Sequence, residues 1–161
     1  MTEQLVHTFP PIYNDQSRVL ILGTFPSVMS REGNFFYHNP RNRLWKVIAI
    51  ITNSVEPETI QQKEKMLLAN NIAVWDVIQS CEIKGSSDIS IRNVTPNDLR
   101  GILNCAPIER IFANGDKAYQ LYMKYSSKYA NMAITKLPST SPANAAWTME
   151  KLLEAWKAIL I

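Results

Sequence analysis

Only two cysteines, Cys81 and Cys105, occur in 161 residues, with no C-x-x-C spacing and no cysteine–histidine cluster. Too few sulfur ligands are present for a zinc site or an iron–sulfur cluster, so both are expected to be reduced core thiols. No apolar run reaches the roughly 18 residues of a membrane span, and no basic stretch followed by an apolar one opens the chain. Secretion and membrane insertion are therefore not expected, and the expected address is the cytoplasm. Internal repeats and low-complexity tracts are also missing, and the chain reads as one domain, 1–161.

Hydrophobic residues make up 46% of the chain and the formal net charge is +3. That is enough apolar material for one sizeable core. The mild positive charge permits an anionic partner without demanding one.

Apolar runs of strand length at 18–23, 71–78, 108–115 and 132–139 alternate with stretches of helical character at 44–51, 57–69, 96–105, 116–125 and 147–160. This alternation predicts an α/β fold on a parallel sheet. Pro57 and the Thr95-Pro96 pair mark expected helix starts. Residues 81–94 fit neither period and are expected to form a long loop. In sheets of this class ligands sit beyond the carboxyl ends of the strands. The residues there are GTFPS, WDVIQS, ANGD and LPSTSPAN.

A fifth polar segment, YHNPRNRLW at 37–45, carries two asparagines, two arginines and a histidine just ahead of an apolar helix. Read in order, GTFPS, YHNPRNRLW, WDVI…C…GSSD, FANG and LPSTSPANA resemble the hypoxanthine-DNA (deoxyinosine) glycosylases, a branch of the uracil-DNA glycosylase superfamily. The resemblance covers nearly the whole chain, and PRNRLW alone is also similar to the mismatch-specific uracil glycosylases. It implies a three-layer α/β/α sandwich around a short parallel sheet of about four strands. The implied activity is removal of a damaged base from DNA by a monomer that needs no metal or cofactor.

The residues agree with that chemistry. An enzyme acting on a base in duplex DNA must extrude the nucleotide and hold it in a pocket with a stacking ring and hydrogen-bonding groups. Phe36 and Tyr37 supply rings, and by similarity Tyr37 takes the position that stacks on the flipped base; for Phe36, anchoring the loop in the core is the equal alternative. An amide donates and accepts at once and keeps its charge at every pH. Asn42 matches the asparagine after Pro-Arg in the family motif and is the first candidate for catalysis, with Asn39, where relatives often carry histidine, as the second. Each also suits a helix cap. Asn114 corresponds to a base-contacting asparagine, although Asn-Gly is equally a common turn. The GTFPS residues Gly23, Thr24, Phe25 and Pro26 would wall the base pocket, with Gly23 allowing the tight turn.

Ser139, Thr140, Ser141, Pro142, Ala143 and Asn144 would grip DNA, their hydroxyls and N–H groups bonding phosphates and the 143–144 tip filling the vacated space. Arg41, Arg43 and Lys46 add positive charge, and His38 reads either as a surface residue or as a phosphate contact. The chain departs from many superfamily members in two places. Thr24 and Phe25 replace a water-activating carboxylate or amide in the first motif, and Ser139 stands where a base-facing histidine is usual. Asp76 and Asp88 remain as carboxylates that brace loops or polarise water. No motif places a lysine for Schiff-base chemistry, so hydrolysis without strand cleavage is expected. Two alternatives stand: a uracil or mismatch-specific glycosylase of the same superfamily, and a non-catalytic binder of damaged DNA.

Overall fold

β2 (Val19–Gly23) has the sequence VLILG and is buried at every residue. An unbroken apolar run is what a strand covered on both faces requires. Val19 and Ile21 enter one core while Leu20 and Leu22 enter the other, and full burial of each large side chain is worth roughly 1.5–3 kcal/mol. In the computed structural model, which describes residues 3–161, this strand lies inside a parallel sheet. β3 (Ile72–Asp76), β6 (Arg110–Asn114) and β7 (Ile134–Leu137) complete it in the order β3-β2-β6-β7.

One face is covered by α2 (Leu44–Ile51), α3 (Ile60–Ala69) and α7 (Met149–Trp156), which bury Leu44, Ile48, Leu67, Leu152 and Trp156. The other face carries α4 (Arg100–Cys105) and α5 (Asp116–Tyr125), followed by the one-turn α6 (Ser127–Ala130), through Ile102, Leu121 and Tyr122. The expected three layers and four parallel strands are present. No helix among the described residues is long and apolar enough to cross a membrane.

The expected loop at 81–94 is a correction. β1 (Glu3–Val6), β4 (Ile78–Ile83) and β5 (Arg92–Pro96) form a second, antiparallel sheet in the order β1-β4-β5. The β4–β5 ladder shifts register between Ile78 and Ser80 and again between Ser80 and Glu82. Those irregularities scramble the period-two alternation by which a strand is read. The expected single strand at 71–78 is two strands, divided at Val77, where the chain leaves one sheet for the other. The Val77 and Ile78 N–H groups donate to the carbonyls of Gly23 and Thr24.

Two expected helix starts also move. Pro96 closes β5, and α4 begins only at Arg100, whose N–H donates to the Asp98 carboxylate. α3 begins at Ile60, because Thr59 and Gln62 make a reciprocal capping box that outcompetes Pro57 as the start. A short helix not expected from the pattern, α1 (Val28–Gly33), follows GTFPS under a Ser27 cap.

Candidate active site

The carboxyl ends of the parallel strands meet at one cleft. Gly23 stands level with Asp76 across β2 and β3, and Asn114 level with Leu137 across β6 and β7. Gly23, Asp76, Asn114 and Thr140 therefore share one wall, and Thr24, Tyr37, Asn39, Asn42 and Asp88 close it. The cleft holds about 220 Å³, below the roughly 300–1,000 Å³ typical of sites for drug-sized ligands. It suits one flat ring system.

Three polar side chains on this wall form a chain of hydrogen bonds whose direction two backbone donors fix. The Thr140 N–H donates to Oδ1 of Asn114 at 3.0 Å, so the Asn114 amide must turn Nδ2 to the Thr140 hydroxyl, also at 3.0 Å. That hydroxyl is then left to donate to Oδ1 of Asn42 at 2.8 Å. The Leu44 N–H donates to the same Oδ1 at 3.0 Å. Backbone N–H groups can only donate, so neither amide can be flipped without breaking a bond. Asn42 thus holds the first N–H of α2 and lines the cleft at once. Its carbonyl is fully engaged, and Nδ2, without a partner among the described residues, is the end a ligand can meet.

Tyr37 occupies the left-handed region at φ 48°, an uncommon place for an aromatic residue and one often tied to function. The Trp45 indole N–H donates to its carbonyl at 3.0 Å, and the two rings meet edge to face. Its hydroxyl is enclosed and has no hydrogen-bond partner among the described residues. Burial, reinforced by the Asp76 carboxylate and opposed by the Asn114 amide, holds the phenol well above its ordinary pKa, so it is a neutral donor. A Cβ on Gly23 would come within 2.4 Å of Asp76 Oδ1 and 2.7 Å of the Tyr37 hydroxyl oxygen. Only glycine fits between them.

Asp76 accepts from Nε2 of His7 at 2.8 Å, with both side chains almost wholly buried. Asp88 also lines the cleft and accepts from the Thr24 hydroxyl at 3.2 Å. Loss of hydration pushes its carboxyl above the usual carboxylate range, against the influence of Thr24 and Lys117.

Comparison with known proteins gives the arrangement its family. The model of the uracil DNA glycosylase superfamily matches residues 10–160. The chain belongs to the uracil DNA glycosylase superfamily. It is 30% identical over 158 residues to a protein named hypoxanthine DNA glycosylase from Methanosarcina acetivorans, covering 94% of this chain and 95% of that one. A second hypoxanthine DNA glycosylase, from Methanosarcina barkeri, is 28% identical over 112 residues, 68% of this chain and 71% of its own. A solution NMR structure from Methanosarcina acetivorans, described as a candidate uracil DNA glycosylase, superposes with a TM-score of 0.80 at 29% identity, covering 94% of this chain and 93% of the other.

Within this superfamily fold most of the expected residues gather as read from the sequence. Gly23, Thr24, Phe25, Pro26, Phe36, Tyr37, Asn39, Asn42, Asn114, Ser139, Thr140, Ser141 and Pro142 all line the cleft. Phe25 and Phe36 do so from within the core, at 7% and 2% exposure. Asn39 accepts from the Arg41 N–H at 3.0 Å and keeps its own amide N–H groups free among the described residues. Ala143 and Asn144 line a neighbouring cleft beside Trp147.

Two residues expected on DNA are committed to the protein. Thr140 is fully buried in the Asn42–Asn114 chain and cannot reach a phosphate. The Arg43 guanidinium donates to the carbonyls of Ser141, Asn144 and Trp147, so it clamps the 139–147 loop. Arg41 and Lys46 are exposed. Ser139 and Ser141 each accept from a backbone N–H two residues ahead, which leaves their hydroxyl hydrogens to donate outward. His38 packs against Gly33. His7 escaped the sequence reading, because it belongs to no motif and its partner lies 69 residues away.

Proposed function

We propose that this chain is a monofunctional DNA glycosylase that extrudes a deaminated base into the cleft and hydrolyses its N-glycosidic bond, with hypoxanthine the principal base and xanthine a second. The observation that supports it most is the Asn42–Thr140–Asn114 chain, which presents amide donors on one side of a cleft sized for a single base. The names of the two Methanosarcina relatives called hypoxanthine DNA glycosylase agree with the choice of base. We further propose that the one domain, 1–161, acts as a monomer in the cytoplasm, on DNA.

In the reaction the bond between C1′ and the base nitrogen breaks, the electron pair leaves with the base, and water adds to C1′ to give an abasic site. Positive charge collects on the sugar and negative charge on the base. Fixed donors aimed at the base lower that barrier more than mobile water can. Nδ2 of Asn42 and the second N–H of Asn114 serve as those donors. With its carbonyl engaged, Asn42 acts on the base rather than as an acceptor for water. Asp88, a carboxylate displaced upward and facing the cleft, accepts the proton of the attacking water.

Oligonucleotides carrying deoxyinosine, deoxyxanthosine or deoxyuridine test the reading. Release of free hypoxanthine with an alkali-labile abasic site supports it. Release of uracil alone would make the chain a uracil glycosylase, and tight binding with no base released on prolonged incubation would make it a binder.

A further inference from the structure

Of the four tryptophans in the chain, three are held by their surroundings. Trp45 and Trp156 are buried and donate their indole N–H groups to the carbonyls of Tyr37 and Pro138, each at 3.0 Å. Trp75 packs against both cores. Trp147 differs. It stands one residue ahead of the Thr148 cap of α7, where an apolar side chain commonly folds back onto the helix. Yet it is 36% exposed, packs into neither core, and its indole N–H has no partner among the described residues.

The backbone beneath this ring is pinned. The Trp147 N–H donates to the Asn144 carbonyl at 3.2 Å, and the Trp147 carbonyl accepts from Arg43. The next residue, Thr148, accepts the Lys151 N–H on its hydroxyl at 3.2 Å. The ring borders a cleft of about 660 Å³, and it also borders a hollow lined by Ala146, Lys151 and Ala155. It stands between two open spaces rather than inside one. The larger cleft adjoins the base cleft, since Asp88, Ser139 and Ser141 line both. Its other carboxylate, Asp116, is paired with Lys136 at 3.3 Å, so little negative charge there opposes a nucleic-acid strand.

We propose that this second cleft is a subsite for an unpaired base next to the extruded one on the same strand, with Trp147 as its stacking platform. The protein then engages single-stranded or locally melted DNA through a contact that an intact duplex cannot offer. In a duplex the neighbouring base is paired and stacked in the helix. In a single strand it is free to turn onto the ring. Every base has a π face, so the contact tolerates any neighbour and is worth roughly five- to 150-fold in affinity. A tryptophan on a fixed backbone has only its two side-chain torsions to order, which keeps the entropic cost low.

This inference rests on the reading of the first cleft as a base site, and binding tests it apart from catalysis. Affinity is measured for a single strand and for its duplex, each carrying 2′-fluoroarabino inosine, whose fluorine blocks loss of the base. Two further single strands carry a tetrahydrofuran residue in place of the nucleotide on one side of the inosine or on the other. The wild type should lose about tenfold or more when the base on one side is removed, and less than about threefold when the other is. Trp147→Ala should lose a similar factor on the intact single strand, stay within about threefold on the duplex, and bind all the single strands alike. Trp147→Phe, which keeps a ring, should retain most of the single-strand affinity, a rescue that a loosened loop would not show. Equal losses on single strand and duplex overturn the proposal, as do Trp147→Phe falling with Trp147→Ala, a wild type indifferent to both neighbouring bases, and a wild type that binds no single strand. Should the protein bind single strands as expected and release no base from deoxyinosine DNA, the glycosylase reading falls and the subsite stands.

Discussion

The Thr140 hydroxyl donates to Oδ1 of Asn42 at 2.8 Å across 98 residues of chain. This bond joins the strand-end loop after β7 to the turn before α2, and it turns the Asn42 amide so that only its N–H groups face a ligand. Thr140→Val keeps the shape and deletes the link. It strands the Asn114 N–H and halves the support of the Asn42 carbonyl, at a cost of about 1–3 kcal/mol for a buried unsatisfied group. Thermal unfolding should show that loss. Single-turnover excision by the folded protein should fall by tenfold or more, and Thr140→Ser should restore most of both.

Gly23→Ala places a methyl group 2.4 Å from Asp76 Oδ1 and 2.7 Å from the Tyr37 hydroxyl oxygen. Neither neighbour can yield freely, because Asp76 is tied to His7 and Tyr37 is wedged against Trp45. The substitution should abolish base release while duplex binding through the outer surface persists. Excision at the wild-type rate by the folded variant would show that this wall does not touch the base.

Arg41 and Arg43 stand two residues apart and should behave differently. Arg41 is exposed, so Arg41→Ala should weaken binding to all duplexes alike and reduce the log–log salt slope by about 0.9. Arg43→Ala should leave that slope unchanged and free the 139–147 loop, seen as faster amide exchange there and slower excision. Equal slopes for both variants and the wild type would remove Arg41 from the DNA surface.

Asp88 gives the pH dependence a sign. Its carboxyl titrates above the usual range because burial disfavours the charged form, so excision should rise with pH through that raised value and then level off. For stability the sign reverses: a raised folded-state pKa contributes stability below the unfolded value, about 4, that is lost as pH rises through the folded value. Because Asp88 is also exposed to solvent, which screens the effect, Asp88→Asn should be at most slightly more heat-stable than wild type near neutrality, match it below about pH 4, and lose the acid limb of the rate profile. An Asp88→Asn protein with the wild-type profile would free Asp88 of any role with water.

The parallel sheet was legible because three of its strands, β2, β3 and β6, are short apolar runs buried along nearly their whole length, and a run such as VLILG admits few other readings. The antiparallel sheet was not. β4 and β5 pair with register shifts that erase their alternation, and β1 gains its meaning only from a partner far along the chain. The cleft residues were legible where a motif holds them at a strand end, as with Gly23, Asn42 and Asn114. What each one does depends on its partners. Nothing local to Thr140 shows that it is buried between two asparagines, nothing local to Arg43 shows that three carbonyls occupy it, and nothing local to His7 shows a carboxylate beside it.

The most direct test of the account is the single-turnover release of free hypoxanthine from a deoxyinosine duplex by the wild type, Asn42→Ala and Asn42→Asp. Loss of one fixed donor costs about a hundredfold or more in comparable sites, and both variants should show it while their affinity for an abasic duplex stays near wild type. Asn42→Asp is the sharper arm, since aspartate can accept the Leu44 N–H as asparagine does but brings no N–H to the base. Wild-type rates in both folded variants, or no hypoxanthine released by the wild type itself, would contradict the account.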